Sequence, residues 1–490
     1  MREPRGATST SLKLRFSMGG AAEGATMYAF NGFNFIIYTV IFGMPGTLAG
    51  LAVFLSIALD AVSDPLIGYL SDRWKSRWGR RHSFIYFASI PMGASVFCIY
   101  APPDALLATG DQIWSLFGYE ASPTQWGLAL WLFVFASLLK FFHTCYHLPH
   151  LALGSELTDD YMERTRIFRY NTLFSYCGGA TLAFTFYYVF FTEGPKPNLD
   201  TTFFAAAVAL FGGTVIFLTA YLTREQIPYL SQPPDDLPKI SIRDFLQEAT
   251  VVFHNRNYMM LFFGLFCLSP MIGVRETLGQ NMNLFYWELE PYQIGLLPFF
   301  TIASYFLAVT LVAPITKRFD KGGAMRIAVG VAAVAASTHI ILRTFDLLPA
   351  NGHPSIFLIV GFASFCYYGG LSILTTSVYS AIGDVVDEHE LTTGKRQEAV
   401  FYAVRTFFAK LSNGIGHLLA GIAVDIIGFP PKAVVGEVDP QVIFELGIFE
   451  GIIAVLPILG AIYFYGRYEI DKKRHAQIQE DLIIARANAG

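Results

Sequence analysis

The sequence predicts an all-α membrane protein, with about twelve transmembrane helices in two six-helix bundles. Three observations predict it. The 490-residue chain is 53% hydrophobic, 16% aromatic and 15% charged, whereas soluble domains carry about 25% charged residues. Apolar windows of about 20 residues, long enough to cross a hydrocarbon core, recur about twelve times. Most lysines and arginines fall between alternate windows, which sets an orientation.

In order along the chain, the start MREPRGATSTSLKLRF is basic but has no apolar core followed by a small-residue cleavage site. Residues 1–16 are therefore expected to be a cytoplasmic tail, not a signal peptide. The N-terminal bundle, 17–222, is expected to hold spans 17–42, 47–71, 83–103, 126–155, 168–193 and 202–222. The polar stretch 223–257 is the longest break and divides the spans six and six. Within it Ile242, Phe245, Leu246, Ala249 and Val252 recur at helical spacing. That pattern predicts an amphipathic helix on the membrane surface, acting as a tether. The C-terminal bundle, 258–466, is expected to hold spans 258–287, 292–316, 324–347, 355–382, 398–427 and 443–466, with 467–490 as a second tail.

With the N-terminus inside, the inner loops take Arg73, Lys75, Arg77, Arg80, Arg81, Arg164, Arg166, Arg169, Lys317, Arg318, Lys321 and Arg326. The outer loops and their edges take Lys196, Arg343 and Lys432. Both termini are thus expected in the cytoplasm. The cysteines (Cys98, Cys145, Cys177, Cys267 and Cys366) lie scattered in apolar stretches and give neither a disulfide framework nor a metal-ligand spacing. The two halves echo each other faintly. GYLSDRWKSRWGRRH (68–82) follows span two and APITKRFDKGGAMR (313–326) follows span eight. Parallel repeats with a binding site at their interface are a transporter design.

Asp60 and Asp64 interrupt the second window. Each charge at mid-membrane depth costs roughly 2.5–3.5 kcal/mol on insertion scales, so such residues face a cavity or a partner. Their i, i+4 spacing puts both carboxylates on one helix face. Like charges that close repel unless a cation or proton lies between them. The pair reads as a site for Na⁺, Li⁺ or H⁺.

The block Asp60-Ala-Val-Ser-Asp64-Pro65-Leu-Ile-Gly68, followed by Ser76-Arg77-Trp78-Gly79-Arg80-Arg81, resembles the signature of the glycoside–pentoside–hexuronide:cation symporters of the major facilitator superfamily. Leu153–Thr158 with Asp160–Arg166, and Gly383–Asp387 with Phe407–Lys410, resemble two further segments of that family, so the likeness spans nearly the whole chain. The resemblance implies the major facilitator fold. It also implies a cation site in which two helix-two carboxylates fall on Asp60 and Asp64, and a helix-four threonine on Thr144. Ser63 stands where a galactoside-carrying member has asparagine, and the family's helix-eleven lysine falls on Lys410, the expected charge partner. The galactoside site carries over poorly. Its helix-one acid falls on Gly24, beside Glu23. Its helix-four acid falls on His147, a nearby tryptophan on Leu151, and its helix-five arginine on Thr172. The implied solute is therefore not a galactoside of that kind.

Lys140, Thr144 and His147 share one face of span four, so Lys140 and His147 are candidate solute groups. Glu23, Tyr28, Thr172, Tyr368 and Tyr402 complete the candidate cavity set; tyrosines can stack on a sugar ring. His143, His147 and His150 also invite a metal reading, because i, i+4 histidines can chelate. No second histidine cluster or CxxC supports it, and no metal beyond Na⁺ is expected. Arg275 and Glu276 are adjacent intramembrane charges, expected to pair structurally. Asp72, Arg73, Arg77, Arg80 and Arg81 resemble the superfamily's cytoplasmic motif, a latch between helix ends. Asp160, Glu163, Arg164, Asp384, Asp387 and Arg396 are expected to join the same network.

The expected function is cation-coupled (Na⁺ or H⁺) symport of a small polar solute, a sugar, glycoside or uronide, by alternating access. No cofactor is expected. The partners are the solute, the coupling cation and the lipid bilayer, with no nucleic acid, and the chain is expected to be a monomer in the bacterial inner (plasma) membrane. The runner-up is a lysolipid or amphiphile symporter. A membrane enzyme lacks a nucleophile or metal constellation here, and a non-transporting sensor would need a soluble domain longer than the 223–257 stretch.

Overall fold

Ser9 starts the first helix, its hydroxyl accepting the Leu12 N–H at 3.2 Å. This N-cap, with Lys13 and Phe16 buried, explains why helix begins ahead of the expected residue 17. In the computed structural model, which describes residues 8–108, 112–116, 118–192, 198–230, 250 and 252–489, the chain is mainly helical. Helix α1 (Thr10–Tyr28) runs on through π-helical turns at Ala29–Phe33 and Ile37–Ile41. Then come α2 (Gly46–Arg73) and α3 (Arg80–Tyr100). A small antiparallel hairpin of β1 (Trp114–Leu116) and β2 (Tyr119–Ala121) pairs Trp114 with Ala121. It leads to α4 (Pro123–Glu156), which opens with a reciprocal capping box between Ser122 and Gln125. Helices α5 (Tyr161–Thr185) and α6 (Thr201–Thr223) follow.

The rest of the chain forms α7 (Arg256–Asn281), α8 (Pro291–Thr344), α9 (Pro354–Thr393) and α10 (Glu398–Ile427). It ends with α11 (Pro440–Ile448), α12 (Ile458–Tyr465) and α13 (Lys472–Ala489). The expected surface helix at 242–252 lies outside the described residues except for Thr250 and Val252, the latter buried; Lys196 also lies outside them.

Among the described residues, nine helical stretches are long and apolar enough to cross a membrane, counting α11 and α12 as one. One of them, α8, has 54 residues, or about 80 Å of helix, far more than the roughly 30 Å of a hydrocarbon core. Asp320 breaks it with φ 58° and ψ 177°, so it makes two spans, at the point where 292–316 and 324–347 are expected to meet. Helices α1 and α5 complete twelve. They are less apolar because each gives one face to the other. A Cβ on Gly24 would lie 1.9 Å from the Ser175 carbonyl, and one on Gly178 would lie 2.1 Å from that of Ala21. Small residues thus let the two backbones touch.

The fold divides into two compact units. The first comprises Met1–Leu237, Glu276–Pro298 and His417–Ile443. In it α1 packs on α5 and α6, α3 on α4 and α6, and α2 on α4. The later segments close around one end of α2. The Asp425 carboxylate accepts the Gly46 and Thr47 N–H groups at 2.8 Å each and the Tyr119 hydroxyl at 2.8 Å, capping α2 with an anion. Tyr187 donates to Gln280 of α7 at 2.6 Å.

The second unit comprises Pro238–Arg275, Phe299–Gly416 and Phe444–Gly490. Its core joins Tyr258, Met271, Val329, Tyr367, Val385 and Phe401. The C-terminal stretch expected as a tail forms α13, which packs on α9 and buries Ile478 and Leu482.

Candidate cation and solute sites

Asp60 and Asp64 stand one turn apart on α2. Leu59, Val62 and Leu66 on the same helix are 51%, 64% and 62% exposed and form its lipid-type stripe; Asp60 is 5% exposed. Both carboxylates turn to α4. There the Thr144 hydroxyl lies 3.0 Å from Asp60 Oδ1 and 2.8 Å from Asp64 Oδ1. A hydroxyl has one hydrogen, so it donates fully to only one of them. Two carboxylates held this way repel unless a proton or cation lies among them. Oxygen ligands suit a hard cation. Pro65 adds to the polar character, since it leaves the Ala61 carbonyl without its intrahelical N–H. Ser63 sits beside the pair, but its hydroxyl donates to the Asp60 main-chain carbonyl at 3.0 Å. Lys410 is partly buried on α10, in the second unit.

Glu23, on α1, reaches α4. Its Oε1 lies 2.6 Å from His147 Nδ1 and 3.4 Å from His143 Nε2. Gly24, the position that the resemblance aligned with an acid, instead packs on α5, and the neighbouring glutamate carries the carboxylate. His143 was weighed only as a chelating histidine; its link to Glu23 was missed, because no local spacing joins α1 to α4. Lys140 extends over the Phe30 ring, 4.8 Å from its centroid, and Tyr28 meets Phe33 edge-on at 5.4 Å. Thr172 is partly buried on α5. Tyr368 and Tyr402 belong to the second unit, where Tyr402 donates to the Tyr379 carbonyl at 3.1 Å. His150 is structural: it stacks on Phe16 and its Nε2 lies 3.0 Å from the Phe16 carbonyl.

Arg275 pairs at 2.9 Å with Glu450, a buried acid absent from the sequence-based candidates. Glu276 lies 3.5 Å from His417. The residues expected to form one polar network make ion pairs within each unit. Arg81 meets Asp72 at 2.7 Å, and Arg80 and Arg81 meet Glu156 at 2.6 and 3.0 Å. Glu156, too, was missed as the centre of that cluster. Arg73 and Arg77 lie over Tyr69 and Trp78, at 3.6 and 5.8 Å. Asp160 caps α5 through the Glu163 N–H at 2.9 Å, and Arg164 reaches the Thr158 carbonyl at 3.5 Å. Glu163 meets Lys13, Thr8 and Arg166. The hydrogen bond from Lys13 is the main cause that holds its carboxyl below the ordinary range. In the second unit Asp384 takes Lys321 at 2.6 Å, and Asp387 takes Arg396 at 2.8 Å.

Residues 15–472 match the family described as MFS/sugar transport protein. Among the relatives is an uncharacterized symporter of Synechocystis sp., 26% identical over 96% of each chain. An inner membrane symporter of Escherichia coli is 22% identical over 97% of this chain and 95% of its own. Among solved structures, the nucleoside transporter NupG superposes with TM-score 0.62 at 12% identity, over 94% of this chain and 100% of its own; the fold is that of the major facilitator transporters.

Proposed function

The chain belongs to the MFS/sugar transport protein family and is a membrane symporter of that type, not an enzyme; from this premise we propose that it imports a sugar, glycoside or uronide together with Na⁺ or H⁺. The observation that carries the reading is the Thr144 hydroxyl, within 3.0 Å of both Asp60 and Asp64. The cation binds these three groups and offsets the repulsion between the two carboxylates, which lowers the charge that resists movement through an apolar environment. Solute binds near Glu23, Lys140 and His147, with Tyr28, Thr172, Tyr368 and Tyr402 as further wall residues. Lys410 is the proposed charge partner in the cation-free state. Loaded carrier then rocks so that the site opens inward. The clusters at Arg80–Arg81, Glu163 and Asp384–Asp387 act as gate latches on the cytoplasmic side, where both termini lie, and the monomer is the working unit. Two bundles, 17–222 and 258–466, joined by 223–257, are the proposed moving parts.

The test is uptake by proteoliposomes against a panel of sugars, glycosides and uronides under imposed Na⁺ or pH gradients. Asp60→Asn and Asp64→Asn are each expected to abolish gradient-driven accumulation. Accumulation at the wild-type level in both variants rejects the mechanism.

A further inference from the structure

His143 and His147 lie four residues apart on α4, with ring centroids 5.2 Å apart and planes 21° apart. Each turns a nitrogen to the same Glu23 oxygen, at 3.4 and 2.6 Å, and the donor atoms of the three residues all lie within 4.8 Å of one another. Side-chain exposures of 14% for Glu23, 17% for His143 and 33% for His147 leave the cluster shielded yet reachable. Ligands at about 2.0–2.2 Å from a tetrahedral ion stand about 3.3 Å from each other. The two observed separations straddle that value, so a small rotation of the His147 ring and the Glu23 carboxylate admits an ion. Glu23 itself is well anchored, because Gly20 and Gly24 on either side of it press against Asn171 and Ser175 of α5.

We propose that Glu23, His143 and His147 form a binding site for a borderline divalent transition ion, Zn²⁺ foremost. Two imidazoles and a carboxylate leave a fourth position for water or a solute oxygen, the ligand count of open zinc sites. The donor set also separates this site chemically from Asp60, Asp64 and Thr144. Imidazole favours transition ions, whereas the all-oxygen set favours hard cations. Bound Zn²⁺ replaces the Glu23–His147 contact and blocks solute entry; this last consequence rests on the symport reading above, and the binding itself does not.

The experiment uses the full chain, purified in detergent without a histidine tag, with Co²⁺ as a visible-absorption probe and Zn²⁺ as its competitor. One Co²⁺ per chain is expected, displaced by equimolar Zn²⁺. His143→Ala, His147→Ala and Glu23→Gln should each weaken Co²⁺ binding at least tenfold, and Asp64→Asn should not. An absent Co²⁺ band overturns the proposal, as does a band that survives both histidine changes or is lost in Asp64→Asn alone. Should a histidine variant fail to fold, the wild-type chain still decides. Zn²⁺ must protect His143 and His147 from carbethoxylation, read by peptide mass spectrometry, and equal modification with and without Zn²⁺ rejects the site. Binding is measured without solute or gradient. Its loss therefore rejects the metal site alone, whereas failed uptake with intact binding rejects the transport reading alone.

Discussion

Arg275 and Glu450 are both charged and both withdrawn from solvent, with side chains 18% and 3% exposed. Arg275 also lies over the Tyr367 ring at 4.6 Å and reaches the Ala336 carbonyl at 3.4 Å. Removing one member of such a pair leaves the other as a buried charge, at a cost of about 3–5 kcal/mol, whereas replacing both with apolar residues is often near neutral. Glu450→Leu alone should therefore lower the melting temperature of the purified chain strongly, and Arg275→Leu with Glu450→Leu should recover most of the loss. A double variant no more stable than the single one contradicts this account. The pair also shows what one-dimensional reading lacks. Asp60 and Asp64 are legible because helix geometry puts i and i+4 on one face. Arg275 stands beside Glu276 and Glu450 lies 175 residues further on, so no local spacing joins the pair and only tertiary packing does. Glu23 with His143 is the same case.

At the level of elements, α1 and α5 bring their backbones together through small residues, as at Gly24 and Ser175. Their joint extends to the ends, where Lys13 of α1 meets Glu163 in the first turn of α5. Hydrogen bonding by Lys13 lowers the Glu163 carboxyl below its ordinary value, about 4.3 in unfolded chains. The folded state thus binds fewer protons there than the unfolded one. Its contribution is fully present above the unfolded value and is lost as pH falls through the lower, folded one. The melting-temperature advantage of wild type over Glu163→Gln should be constant from neutral pH to about 5 and vanish in stronger acid. An advantage that grows on acidification refutes the assignment. Helix length was legible only where a break left a mark in composition. The polar KRFDKGG stretch marked the break at Asp320, whereas the capped start at Thr10 depends on a single serine.

For the whole molecule, the division of apolar windows six and six was readable from the polar stretch at 223–257. The inclusion of Glu276–Pro298 and His417–Ile443 in the first compact unit was not. It depends on contacts such as Asp425 with the start of α2, which no periodicity encodes. The pairing of Asp60 and Asp64 around Thr144 has a further consequence, for the charge carried in the proposed transport cycle. Under the proposed symport, a cycle that carries one monovalent ion moves one net charge with a neutral solute. A potential of 100 mV is worth about 2.3 kcal/mol per charge, and each 1.4 kcal/mol is tenfold. Potential alone then sets a ceiling of roughly fiftyfold accumulation per 100 mV. A solute bearing one negative charge cancels the ion, and clamping the voltage with potassium and valinomycin should leave its accumulation ratio unchanged. The voltage response of uptake therefore reports the charge of the cargo before its structure is known.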